Sequence, residues 1–175
     1  GGYWISANTD KIFSNATTLT GSIGVFSMIP DISGALKNKL HVNVTTVNSN
    51  THSDIYTLTK PLDAAETAYM QASVENIYDR FTSIVAEGRD MTVEEVDAIA
   101  QGRVWTGAEA EGIGLVDQIG TLTDALEYAA ISIDGVEGLS DIQIVEYPKP
   151  QTSVEMILEM FGAGESVFAG TPFEN

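Results

Sequence analysis

Short apolar runs alternate with helical segments along this chain of 175 residues. The clearest helical segment runs from Pro61 to about Glu87, where apolar side chains recur at intervals of three and four before Gly88. Helices are predicted at residues 31–40, 61–87, 92–102, 107–110, 121–131 and 153–161. Strands are predicted at residues 11–14, 22–29, 41–47, 104–105, 115–118 and 141–147. This alternation is typical of the α/β class.

Two of these segments carry a more detailed prediction. The run at residues 22–29 is almost continuously apolar, which indicates a strand buried on both faces. Thr92 stands three residues before Glu95, a spacing typical of a capping box at the start of a helix. The acidic residues around it, including Glu94 and Asp97, are interpreted as the solvated face of that helix.

Composition excludes several classes of function. A hydrophobic content of 43% is enough for one folded core. The net charge of −17 repels phosphates, so no nucleic-acid partner is expected. The chain has no cysteine, which excludes disulfides and thiolate metal sites. Its longest strongly apolar run, residues 23–29, is far shorter than the roughly 20 residues that span a bilayer.

The residues alone do not assemble a complete catalytic set. Ser22 lies in Thr-Gly-Ser-Ile-Gly, which lacks the Gly-x-Ser-x-Gly spacing of a nucleophile elbow, so spacing alone favours a structural serine at a turn. His52 and Asp54 offer two ligands, and a metal site needs three or four. No metal site is therefore predicted, and His52 is interpreted as a solvated loop histidine.

Several stretches, taken in order, carry a family resemblance. They read GGYWIS at residues 1–6, TLTGSIGV at 18–25, GRVWTG at 102–107, AEGIGLVD at 110–117 and IG at 119–120. Together they resemble the C-terminal half of the signal peptide peptidase A family, also called protease IV, over residues 1 to about 131. The GLVD stretch also occurs in Clp proteases and crotonase-like enzymes. The resemblance therefore implies their α/β fold, a superhelical stack of β-β-α units, which would be incomplete at its N-terminus here.

The resemblance assigns roles to residues at the start of the chain. In that family the nucleophilic serine directly precedes the Gly-Gly-aromatic run, so this chain is expected to begin one residue after it. The N–H of Gly1 would then be one oxyanion-hole donor at a helix N-terminus. Gly2, Tyr3, Gly21 and Ile23 are expected to bind substrate. Residues 1–147 would form the C-terminal part of the peptidase domain, and 148–175 a C-terminal helix and flexible tail.

The family uses a serine-lysine dyad, in which a lysine of lowered pKa is the general base. By family motif, Ser22 would orient that lysine. The short form of the family carries the lysine in the same chain, but Ser53 holds the matching position here. Lys60, the nearest candidate, is expected on the surface. These features fit the long, two-repeat form, in which the rest of the protein supplies both the serine and the lysine.

The implied function is a serine endopeptidase that degrades cleaved signal peptides and other apolar peptides. The resemblance places it at the bacterial inner membrane, on the periplasmic or extracytoplasmic side, as a homo-tetramer without a cofactor. The chain alone is then expected to be inactive. Three alternatives stay open: a noncatalytic family member acting as a scaffold, a crotonase-like acyl-CoA enzyme, and an acidic binding module without chemistry.

Overall fold

The computed structural model describes residues 1–148, which fall into two units. The first is Gly1–Leu126 and the second begins at Glu127. The predicted helix at 153–161 and the predicted tail lie outside the described residues. The domain boundary expected after residue 147 stays a prediction.

Helices dominate the described part of the chain, and the strands are short. The helices are α1 Gly2–Ser6, α2 Ser33–Lys39, α3 Ala64–Arg89, α4 Val93–Ile99, α5 Gly107–Gly112 and α6 Leu122–Ile131. The strands are β1 Phe13–Ser14, β2 Leu19–Gly21, β3 Val104–Thr106 and β4 Gln118–Ile119. A 3-10 turn follows at Leu139–Asp141. The α/β class is confirmed, as are the five predicted helices that fall within residues 1–148, including the long helix α3.

The strands form two pairs that join distant parts of the sequence. β1 pairs in parallel with β4, with Phe13 opposite Gln118. β2 pairs antiparallel with β3, with Leu19 opposite Thr106. Because both pairings connect the first 21 residues to residues 104–119, the two motif-rich ends of this unit are brought together.

Capping boxes start three of the helices. The predicted box at Thr92 and Glu95 is confirmed, and α3 and α5 begin in the same way at Asp63 and Thr106. In each box a side-chain oxygen accepts a hydrogen bond from an otherwise unsatisfied backbone N–H of the first turn. Asp97 departs from the expected solvated face, since it is half-buried and accepts a hydrogen bond from the Tyr78 hydroxyl.

The hydrophobic core of the first unit lies between α1, α3, α4, α5 and the loop before β4. Its buried members are Tyr3, Ala7, Ile23, Phe81, Val85, Ala86, Val96, Ala100, Ala110, Leu115 and Val116. Helix α3 meets the end of α1 backbone to backbone at Gly88, where an added Cβ would lie 2.1 Å from the Ala7 carbonyl oxygen. Only glycine permits this approach, which fixes α1 against the long helix.

Three strand predictions are wrong. The structure has no strand at residues 22–29, 41–47 or 141–147. Far from being buried on both faces, the first run leaves Phe26 with 87% of its surface exposed, and Val47 in the second run is 95% exposed. A strand needs a hydrogen-bonded neighbour, and an apolar pattern cannot show whether one is present. Among residues 1–148, no helix has both the length and the apolar character to cross a bilayer.

Candidate active site

A cleft of about 350 Å³ opens between the start of α1 and the paired strands of the first unit. Its walls are formed by Gly1, Gly2, Tyr3, Ser6, Ile12, Phe13, Ser14, Thr18, Leu19, Thr20, Gly21, Ser22, Val104 and Val116. The cleft therefore brings together the GGYWIS and TLTGSIGV stretches, which lie apart in the sequence. Clefts of this size are the usual sites of ligand binding, and this one is lined by both polar and apolar groups.

Ser22 lies on the cleft wall in an unusual backbone conformation. Its φ of 46° is in the left-handed region, directly after Gly21 at 82°. The Ser22 N–H donates to the Arg103 carbonyl oxygen at 2.9 Å, which holds the turn against the start of β3. Left-handed backbone in a non-glycine residue costs free energy and concentrates at functional sites. The geometry thus gives Ser22 a significance that its motif spacing alone did not.

The start of α1 presents Gly2, and the capping residue Gly1 before it, to the same cleft. A Cβ added at Gly1 or Gly2 would meet no atom within 4 Å, so the space before the helix is open. Tyr3 anchors the helix from below, since its hydroxyl donates to the Leu115 carbonyl oxygen at 2.7 Å. Burial raises the pKa of Tyr3 to about 12, so the phenol stays protonated and keeps this bond. Trp4 packs on Phe81 with ring centroids 4.6 Å apart.

A family model described as peptidase family S49 matches residues 1–134 of this chain. The chain belongs to this family. Over 130 residues it is 42% identical to Protease 4 of Salmonella typhi, covering 74% of this chain and 21% of that protein. It is 40% identical over 152 residues to the putative signal peptide peptidase SppA of Enterococcus faecium, covering 87% of this chain and 43% of that protein.

A plant relative matches nearly the whole chain. This is the chloroplastic serine protease SPPA of Arabidopsis thaliana, 32% identical over 168 residues, or 95% of this chain and 24% of that protein. The chain thus spans between about a fifth and less than half of the length of these relatives. The resemblance to the signal peptide peptidase A family is confirmed.

Most of the residues predicted to form the peptidase site lie on the cleft wall, and one does not. Gly1, Gly2, Tyr3, Gly21 and Ser22 share the cleft wall, and their roles stay predictions. Ile23 lies away from this wall, because its side chain is 1% exposed and packs in the core. Its carbonyl oxygen accepts a hydrogen bond from the Gly102 N–H at 2.9 Å.

An ion pair beneath the S49 cleft was missed by sequence reasoning. The Arg89 guanidinium donates to both carboxylate oxygens of Asp117, at 2.6 and 3.0 Å. This contact holds the pKa of Asp117 below its usual range and raises that of Arg89. Asp117 ends the GLVD stretch, one of the motifs that carry the family resemblance. Nothing in the sequence identified Arg89, 28 residues earlier, as its partner.

Lys60 is bound to carboxylates. Its Nζ lies 2.8 Å from Asp54 Oδ1 and 2.8 Å from Glu66 Oε1, and its side chain is 33% exposed and not fully at the surface as expected. Hydrogen bonds with these two carboxylates raise the pKa of Lys60 to about 12. A general base must be unprotonated at working pH, so Lys60 is unsuited to that role.

The expectation that His52 has no third ligand nearby is wrong. Its Nδ1 lies 3.2 Å from Glu66 Oε1 and 3.7 Å from Asp63 Oδ2, and ligand atoms of the three residues lie within 4.8 Å of one another. The helix start at residue 63 brings these carboxylates to the histidine, which sequence spacing did not reveal. The Lys60 ammonium already neutralises Glu66, and its charge would repel a metal cation there.

Proposed function

We propose that this chain forms the C-terminal part of a serine endopeptidase with the Clp protease/crotonase-like superhelical fold. The observation that carries the proposal is the cleft in which the GGYWIS stretch meets a left-handed Ser22, inside the region matched by peptidase family S49. Relatives named Protease 4 and putative signal peptide peptidase SppA support this activity.

The proposed chemistry uses a serine-lysine dyad supplied by the rest of the same protein. The serine directly precedes Gly1, whose N–H stabilises the developing oxyanion at the start of α1. The lysine comes from the N-terminal half of the long form, and Ser22 accepts a hydrogen bond from its amine. The raised pKa of Lys60 supports a base from elsewhere, since this lysine stays protonated at neutral pH.

The substrate class we propose is apolar peptide, including cleaved signal peptides. The cleft wall carries apolar side chains beside its polar groups, which supports contacts with apolar side chains of a peptide. They belong to Ile12, Phe13, Leu19, Val104 and Val116. The open space at Gly1 and Gly2 allows a peptide backbone to approach closely. Both features support a site that binds extended peptide and are neutral about its exact sequence.

For the whole protein we propose a homo-tetramer at the bacterial inner membrane, with its cleft on the periplasmic or extracytoplasmic side. The exposed apolar side chains of Phe26, Met28 and Val47 support further contacts in an assembly. The assembly and the location come from the family resemblance.

The experiment compares the full-length protein with residues 1–175 alone on an apolar fluorogenic peptide. We expect the full-length protein to cleave it and the isolated chain to show no turnover, because neither dyad member lies in the chain. Cleavage by the isolated chain, unaffected by Ser22→Ala, would refute the proposal. An inert full-length protein would favour the scaffold, and tight binding of coenzyme A would favour a crotonase-like enzyme.

A further inference from the structure

Arg89 and Asp117 join three segments that meet below the cleft. Arg89 ends α3, and its Nε donates to the Gly114 carbonyl oxygen at 2.9 Å. Asp117 Oδ2 also accepts the backbone N–H of Ile12 at 2.7 Å. The Arg89 side chain is nine-tenths buried and that of Asp117 is 29% exposed, so the pair is partly shielded from water. A bidentate guanidinium–carboxylate pair fixes direction as well as distance.

Apart from the Arg89–Gly114 bond, the bonds of this network end at or next to a residue of the cleft wall. Ile12 itself lines the cleft, and Val116 lies between the bonded Leu115 and Asp117. Tyr3, the first aromatic after the two glycines, is bonded to Leu115. The pair thus holds both the floor of the cleft and, through Tyr3, the start of α1.

We propose that Arg89 and Asp117 are positioning residues for the peptidase site, fixing where Gly1, Gly2 and Tyr3 lie on the cleft wall. This inference deepens the proposed function and rests on it for its kinetic consequences. Reacting groups must be held to within a fraction of an ångström, and a shift of about 1 Å can cost roughly 100-fold in rate. The pair acts through Tyr3, Leu115 and Ile12 and does not itself touch substrate.

The Lys60–Glu66 pair is a matched control in the same unit. It also joins a cation to a largely buried carboxylate, with Glu66 only 1% exposed, but neither residue lines the cleft. We therefore expect loss of this pair to destabilise the protein without moving α1. Comparing the two pairs therefore separates positioning from general stability.

The kinetic test uses the full-length protein with Asp117→Asn, Tyr3→Phe and Glu66→Gln, each assayed under conditions where urea titration shows it folded. For Asp117→Asn we expect kcat to fall at least about tenfold, with KM within about twofold, because alignment is lost and binding is kept. Tyr3→Phe removes only the hydroxyl, so we expect a smaller fall in kcat, again with KM nearly unchanged. Glu66→Gln should lose stability and keep its kcat.

A second readout does not depend on activity. In the 175-residue chain labelled with 5-fluorotryptophan, the two tryptophans give separate 19F resonances, since Trp4 lies in α1 and Trp105 in β3. Asp117→Asn and Tyr3→Phe should shift the Trp4 resonance and leave Trp105 in place. Glu66→Gln should move neither.

The two readouts separate failure of this inference from failure of the proposed function. An unchanged kcat in folded Asp117→Asn, or a Trp4 resonance that stays in place, overturns the positioning role. If the unmodified full-length protein is inert on peptides, the proposed function fails, and the Trp4 resonance alone then decides whether the pair positions α1.

Discussion

Two regions of the first unit have similar apolar sequence patterns, but one is buried in the core and the other is exposed to solvent. Residues 1–23 pack with residues 81–116 and bury Tyr3, Ala7 and Ile23. Residues 24–63, which we call the arm, contain no buried residue and leave Phe26 and Val47 exposed. The apolar run that starts at Ile23 spans both regions. Its first member is in the core and Phe26, three residues later, faces solvent.

Polar contacts hold the arm together and join it to α3. Within it, the Ile32 N–H donates to the Leu58 carbonyl oxygen at 2.8 Å. At its end, Lys60 bridges Asp54 of the arm to Glu66 in the first turn of α3. The core stabilises its region by burial, whereas the arm depends on charges that pH can alter. The comparison teaches that an apolar pattern stabilises a segment only where a neighbour covers it.

The largest contrast should come from truncating one apolar side chain in each region. Leu115 is fully buried, so Leu115→Ala should lower the free energy of unfolding by about 2–5 kcal/mol. Phe26→Ala removes a larger side chain that faces solvent, and should change the free energy by less than about 0.5 kcal/mol. Urea unfolding followed by circular dichroism measures both. A similar loss of unfolding free energy in Phe26→Ala would mean that the arm is packed, and would contradict the contrast between the two regions.

The arm should loosen in acid. Hydrogen bonds from Lys60 and from the Asp63 N–H lower the pKa of Glu66 from 4.5 to about 2. A carboxyl with a lowered folded-state pKa adds stability above its unfolded pKa and loses it as pH falls towards the folded value. Unfolding free energies of wild type and Glu66→Gln should therefore differ at neutral pH and converge between pH 4.5 and about 2.

Limited proteolysis checks the same point locally. Cleavage within residues 41–59 should become faster in Glu66→Gln at neutral pH, while the core region resists. A Glu66→Gln effect of constant size across this pH range would contradict the account, because it would not come from the carboxylate charge.

A smaller contrast is expected from single hydroxyl groups. Thr106 caps α5 beside the core, accepting the Glu109 N–H, so Thr106→Ala should cost about 0.5–2 kcal/mol. Ser53 in the arm donates to the Asn50 carbonyl oxygen in an exposed turn, so Ser53→Ala should stay within about 0.5 kcal/mol. Thermal unfolding of both variants measures the two losses of stability. Equal losses would show that the arm turn is as well held as the capped helix.

Local patterns predicted helices α2 to α6 but not α1, and distant pairing determined the rest. The period of α3 and the box at Thr92 depend on neighbouring residues and were read correctly. The strand prediction for residues 22–29 is wrong, because an apolar run carries no information on the partner strand. The family motifs pointed to Ser22 and the glycines. They did not reveal the left-handed φ of Ser22 or the Arg89–Asp117 pair, which arise only when remote segments meet.

The central claim is that Ser22 orients the general-base lysine of a peptidase site in the cleft. The pH–rate profile of the full-length protein tests this claim most directly. Ser22→Ala and Ser22→Gly both remove the hydroxyl, but glycine relieves the left-handed backbone and alanine does not. Ser83→Ala, on the exposed side of α3, is the control. We predict that both Ser22 variants lose at least about tenfold in kcat/KM near neutral pH with a displaced profile, and that Ser83→Ala keeps the wild-type profile. An unchanged profile in Ser22→Gly would contradict the claim.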